Sequence, residues 1–121
     1  MTEKMLTGCS VLVVEDEFFL AEYARDMLED AGARVLGPVG NASEALQLLD
    51  QECPDCALVD VNLGQGPCFD LAYALQSQGV PFLFTTGYDA GILPEDLAAT
   101  PCLQKPLEPR AVVRTVAATC R

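Results

Sequence analysis

Four short stretches carry the residues that could do chemistry. Asp60 closes the apolar run "CALVD" (56–60), and Glu15, Asp16 and Glu17 follow "SVLVV" (10–14). Thr86 follows "PFLFT" (81–85) and precedes Gly87, and Lys105 ends "PCLQK" (101–105) just before Pro106. Carboxylates placed side by side repel one another, so such a cluster is stable at neutral pH only with a cation between them. Oxygen ligands without His or Cys suit Mg²⁺ or Mn²⁺, and Mg²⁺ keeps several waters, so two or three protein oxygens suffice. A carboxylate beside a partly hydrated metal can attack phosphorus and form an acyl phosphate. A lysine and a hydroxyl then offset charge on the phosphoryl oxygens. Asp60 as nucleophile, Lys105 as ammonium and Thr86 as hydroxyl fill those roles.

Such residues can meet only if the fold brings the ends of distant segments together. "SVLVV" and "CALVD" are continuous apolar runs, the mark of strands covered on both faces. "ARVLG" (33–37), "PFLFT" and "PCLQK" read as three more strands, the last at an edge because it begins with Pro. Between them lie helix-like segments. In "EFFLAEYARDMLEDAG", Phe18, Ala21, Ala24, Leu28 and Ala31 recur at steps of three and four, which predicts one buried face. Asn41 with Glu44 forms a capping-box-like start, Pro67 can open the next helix, "PEDLAA" (94–99) is enough for a short one only, and Glu108-Pro109 opens the last. Strand alternates with helix five times, so the fold class is α/β: a (βα)5 doubly wound parallel five-stranded sheet. In such sheets ligands bind beyond the carboxyl ends of the strands, which is where all four stretches end.

Composition narrows the function classes. The chain has 121 residues, half of them hydrophobic, and 18 acidic against 7 basic residues give a net charge of −11. It is long enough for one core without metals or disulfides. Nucleic acid and anionic membranes repel it, so neither is an expected partner. No run is long enough to span a membrane and "MTEKMLTGCS" lacks the blocks of a secretion signal, so a cytoplasmic protein is expected. There is no histidine, which removes histidine bases and most zinc enzymes. In that setting the six cysteines, at 9, 53, 56, 68, 102 and 120, are expected reduced and acting as small apolar residues. "CPDC" (53–56) has redox-motif spacing but leads into a strand, whereas redox pairs of that kind sit at a helix N-terminus.

Over residues 8–120 the chain resembles the receiver domain of two-component response regulators. The matching pieces are "VLVVEDE", "LVDVNLG", "PFLFTTGY" and "LQKP". Each alone is weak, and four in order, each ending a strand, are specific. The resemblance implies the flavodoxin-like strand order 2-1-3-4-5. It implies a phosphoacceptor of a phosphorelay, phosphorylated on Asp60 by a histidine kinase or histidine phosphotransfer protein, with an unknown downstream protein. It implies Mg²⁺ held by Asp16, Asp60 and the backbone carbonyl of Asn62, with Glu15 acting through water, and a Lys105–Pro106 bond in the cis form. The only chemistry expected is self-catalysed phosphotransfer and autodephosphorylation, so the protein is not an enzyme in the usual sense. Dimerisation is common among relatives, and no exposed apolar stripe compels it here.

Two departures from the family pattern stand out. The Tyr or Phe usual three residues before the lysine is replaced by Cys102, and "FTTGY" resembles the FAT GUY subgroup, whose members lack that switch aromatic. Activation is then expected to reshape the loop 86–94, with Tyr88 taking over part of the ring's role. The chain either stands alone or is part of a longer protein. Two other functions compete: a Mg²⁺-dependent aspartyl-phosphate phosphohydrolase and a pseudo-receiver that docks a partner without taking phosphate. The first would show Asp-x-Asp at the nucleophile strand, where this chain has Asp60-Val61-Asn62. The second has no need of an intact acceptor and lysine.

Overall fold

The computed structural model of the protein describes residues 5–62, 69–87 and 93–120. The strands are β1 (Ser10–Val14), β2 (Arg34–Val39), β3 (Cys56–Asp60), β4 (Phe82–Thr86) and β5 (Cys102–Gln104), and the helices are α1 (Phe18–Asp30), α2 (Ala42–Gln51), α3 (Asp70–Ser77) and α4 (Pro109–Thr119). The fourth crossover carries a single 3₁₀ turn, Glu95–Leu97. All pairings are parallel, and the sheet order is β2-β1-β3-β4-β5. The expected start of α3 at Pro67 and the expected role of Tyr88 fall outside the described residues.

Strand alternation divides the core into two layers, because successive side chains point to opposite faces of the sheet. Leu12, Val14, Ala57, Val59, Phe82 and Phe84 meet α2 and α3 through Ala45, Leu49, Leu71 and Leu75. Val11, Val13, Cys56, Leu58 and Leu83 meet α1 and α4 through Met27, Leu28, Val112 and Val116. β1, β3 and β4 feed both layers, which is why their sequences are apolar without interruption rather than alternating. Phe82 and Phe84 lie on the same side, with their rings 5.5 Å apart edge to face.

Local chemistry sets the boundaries. The Asn41 side-chain oxygen accepts from the Glu44 backbone amide at 2.8 Å, the N-cap its spacing predicts, and the Asn41 side-chain NH2 donates to the Glu44 carboxylate at 3.2 Å. Glu108 precedes α4 without a side-chain capping bond, and Pro109 opens it. β2 runs further than its sequence suggests. Gly37 does not end the strand but forms an irregularity opposite Val13, with φ at +89°, and the ladder resumes at Val39. A Cβ there would lie 2.8 Å from the Val39 amide nitrogen, so glycine is required at this point.

Two expectations need correction. Phe18 is 70 % exposed rather than part of the buried face of α1. It stands in the first turn of the helix, at its exposed end, and the buried face is made by Ala21, Ala24, Met27 and Leu28. The cysteines are not all reduced either: Cys9 and Cys120, separated by 111 residues in sequence, are joined by a disulfide. Spacing cannot reveal it, because the pair meets only when the chain's two ends converge beneath the sheet.

Candidate functional site

The carboxyl ends of β1, β3, β4 and β5 bring the predicted residues together, and each is fixed by backbone as much as by side chain. Past β1, the Glu15 amide donates to the Val39 carbonyl at 2.9 Å, which carries the ladder one residue beyond Val14. The Glu15 carboxylate is thereby turned inward and accepts from the Glu17 amide at 3.1 Å. Asp60 is the last residue of β3, opposite Thr85. The Val61 amide donates to the Thr85 carbonyl at 2.9 Å, and the Asn62 amide donates to Asp60 Oδ1 at 3.1 Å, so the turn after β3 folds back on its own carboxylate. Lys105 follows β5, and its amide donates to the Thr86 carbonyl at 2.8 Å. The Lys105–Pro106 bond is cis.

The side chains then converge. Lys105 Nζ lies 3.2 Å from Asp60 Oδ2 and 3.0 Å from Glu15 Oε1. Carboxylate oxygens of Glu15, Asp16 and Asp60 all lie within 4.8 Å of one another. Glu15, Asp60 and Thr86 are buried and Asp16 is exposed, so the cluster opens to solvent on the Asp16 side. Asn62 closes the same turn.

Two buried carboxylates, Glu15 and Asp60, share the Lys105 ammonium, with Asp16 beside them. Burial pushes the Glu15 carboxyl up from the usual carboxylate range to about 7, and the nearby Asp60 charge adds to this, while the bonds from Lys105 and the Glu17 amide oppose it. Lys105 is pulled the other way. Burial alone would lower its ammonium, but the bonds and charges of Glu15 and Asp60 outweigh this and raise it, so it stays protonated. The donor set is all oxygen, close-packed and open on one side, which fits a hard divalent cation such as Mg²⁺ or Mn²⁺ that keeps part of its water shell. One contact was not legible in the sequence: Glu15, expected to bind Mg²⁺ through water, also sits directly against Lys105. Its acidic neighbours pointed only to a cation.

Cys102, at the position where the family pattern has an aromatic ring, pairs with Phe84 and packs against the α2–α3 layer. Burial raises its thiol. It is a packing residue of β5.

A doubly wound parallel sheet with an acidic cluster, a buried hydroxyl residue and a lysine at its carboxyl edge defines a class of signalling receiver domains. The sequence pattern of the response regulator receiver domain matches residues 11–117, and the chain belongs to that family. It is 32 % identical over 111 residues to an uncharacterised response regulatory protein of Vibrio cholerae, covering 88 % of this chain and 46 % of the relative, so it spans about half the length of that protein. Among solved structures it is similar to SdrG from Sphingomonas melonis Fr1, at 32 % identity and a TM-score of 0.80, covering 98 % of each chain. The BeF3-activated conformation of SdrG from Pseudomonas melonis Fr1 matches at 31 % identity, a TM-score of 0.80 and the same 98 % coverage of each. The family is a signalling module of two-component systems rather than a conventional enzyme. Among the described residues, no helix is long and apolar enough to cross a membrane.

Proposed function

We propose that the protein takes a phosphoryl group on Asp60, in a Mg²⁺-dependent manner, from a histidine kinase or a histidine phosphotransfer protein. The observation that carries this reading is the placement of Lys105 Nζ 3.2 Å from Asp60 Oδ2, in a cluster with Glu15 and Asp16. A lysine there stands where the negative oxygens of a transferred group need a counter-charge. Asp16, Asp60 and the Asn62 carbonyl would hold Mg²⁺, with Glu15 behind them. When bound, the cation supplies charge neutralisation for the phosphoryl oxygens.

The chain's own residues account for the rest. Asp60 offers a carboxylate oxygen as nucleophile, and its other oxygen is held by the turn amide of Asn62. Lys105, now held between Asp60 and Glu15, moves its ammonium onto the incoming phosphoryl oxygens without leaving its anchor on β4. Thr86, buried at the end of β4, supplies the hydroxyl. Burial of Asp60 limits water around the acceptor. The absence of the switch aromatic goes with the FAT GUY-like reading, in which phosphorylation is expected to act on the loop 86–94 and, through it, on an unidentified downstream protein. A cytoplasmic setting belongs to the same reading.

The test is incubation with acetyl phosphate, with and without Mg²⁺, followed by intact mass. The expected result is a gain of one phosphoryl group with Mg²⁺, lost in Asp60→Ala. A gain that persists in Asp60→Ala places the acceptor elsewhere. Rapid turnover of many phosphate esters would instead favour the phosphohydrolase.

A further inference from the structure

The opposite end of the sheet carries a second cluster that phosphoryl chemistry does not use. Cys9 lies just before β1, Cys56 opens β3 and Cys120 caps α4. Their sulfurs all lie within 4.8 Å of one another. Cys120 is bonded to Cys9, and the Cys56 sulfur lies 2.8 Å from Cys120 Sγ. One sulfur therefore has two partners in reach, one bonded and one waiting. Cys56 is wholly buried, whereas Cys9 and Cys120 are half-buried at the rim of the α1–α4 layer.

We infer that Cys9, Cys56 and Cys120 form a reversible redox centre in which Cys120 is the sulfur common to two alternative disulfides, closed by a peroxide and opened by a dithiol reductant. Closure oxidises two thiols. The Cys9 or Cys120 thiolate attacks a peroxide oxygen and releases the alcohol or water, and the second thiol displaces water from the resulting sulfenic acid to form the S–S bond. Opening is the reverse in electrons: a dithiol gives up two electrons and two protons and leaves as its own disulfide. Exchange within the centre needs no oxidant. The Cys56 thiolate attacks Cys120 Sγ, the Cys9–Cys120 bond breaks, and Cys9 leaves as a thiolate that takes the proton Cys56 lost.

The geometry also says where the bond rests. Burial, with the charge of Asp55 beside it, pushes the Cys56 thiol up to about 12, so at neutral pH it remains a thiol and seldom attacks. The crosslink thus stays on Cys9 and Cys120, with Cys56 in reserve. A soft metal is the competing occupant of three sulfurs, but two of them are already bonded to each other and the third keeps its proton. In a reducing compartment, disulfides that do form are usually transient or regulatory. Only the transient character of the link rests on the cytoplasmic reading; the chemistry does not depend on phosphorylation of Asp60, and either can fail without the other.

The experiment uses the full chain, reduced with dithiothreitol, desalted and treated with hydrogen peroxide. Peptides are mapped by mass spectrometry without reduction, and the wild type is compared with Cys9→Ser, Cys56→Ser and Cys120→Ser. The expected result is a Cys9–Cys120 link in wild type and Cys56→Ser, a Cys56–Cys120 link in Cys9→Ser, and loss of both in Cys120→Ser, each reversed by dithiothreitol. Circular dichroism of each variant shows that the fold is retained. Links through Cys53 or Cys102 in place of these, or a Cys9–Cys56 link that persists in Cys120→Ser, would overturn the assignment of Cys120. Uptake of Zn²⁺ by the reduced protein with protection of the three thiols from peroxide would overturn the redox centre in favour of a metal site.

Discussion

The two ends of the sheet are built from the same strands and solve opposite problems. At the carboxyl end, β1 and β3 deliver Glu15 and Asp60, which share the Lys105 ammonium and have Asp16 close by. At the amino end, the same two strands begin beside Cys9 and Cys56, neutral groups that pack well and cross-link. The first end is left electrostatically unsatisfied, with Glu15 pushed up to about 7. The second is covalently closed.

That contrast can be broken most severely at Lys105. In Lys105→Met, Glu15 and Asp60 keep their burial and lose their counter-ion. Without Mg²⁺ the variant is expected to lose about 2 kcal/mol of stability, less than for a fully buried pair because Lys105 is partly open to solvent. Urea denaturation with and without Mg²⁺ checks this: the cation should restore part of the loss, and an equal loss in both conditions would mean the lysine acts by packing. A smaller effect of opposite sign is expected for Asp60→Asn. Removing one of three mutually repelling charges while the Glu15–Lys105 pair remains should stabilise the Mg²⁺-free protein by about 1 kcal/mol, read as a raised melting temperature. A lower one would show that the site's repulsion is already relieved.

The smallest effect belongs to the amino end and appears only in alkali. Cys56 ionises near 9 when unfolded and near 12 when folded, so unfolding releases a proton between those values. The stabilisation from keeping it neutral is complete below pH 9 and is lost as the pH rises toward 12. The loss should be a few tenths of a kcal/mol at about pH 9 and grow beyond it, and it should vanish in Cys56→Ser. A wild-type curve that is flat through this range would mean that Cys56 is not held neutral by burial.

The fold was legible because its signals are local. Uninterrupted apolar runs mark β1, β3 and β4, and Asn41 with Glu44 announces α2. The convergence of Asp60 and Lys105 was legible too, because a parallel sheet aligns the ends of all its strands. What escaped depends on long-range meetings or on what lies underneath. The Cys9–Cys120 bond joins the two ends of the sequence, the contact of Glu15 with Lys105 depends on an inward turn fixed by the Val39 carbonyl, and the exposure of Phe18 goes with its place at the exposed end of α1. Periodicity reports the face a residue occupies, not whether another layer reaches it.

The bond from the Lys105 amide to the Thr86 carbonyl has one more implication. It mounts the hydroxyl and the ammonium on adjoining rungs of one ladder, so their spacing is insulated from whatever chain connects β4 to β5. That connection is free to lengthen, shorten or change composition to suit a different listener while the chemistry beneath it keeps its dimensions.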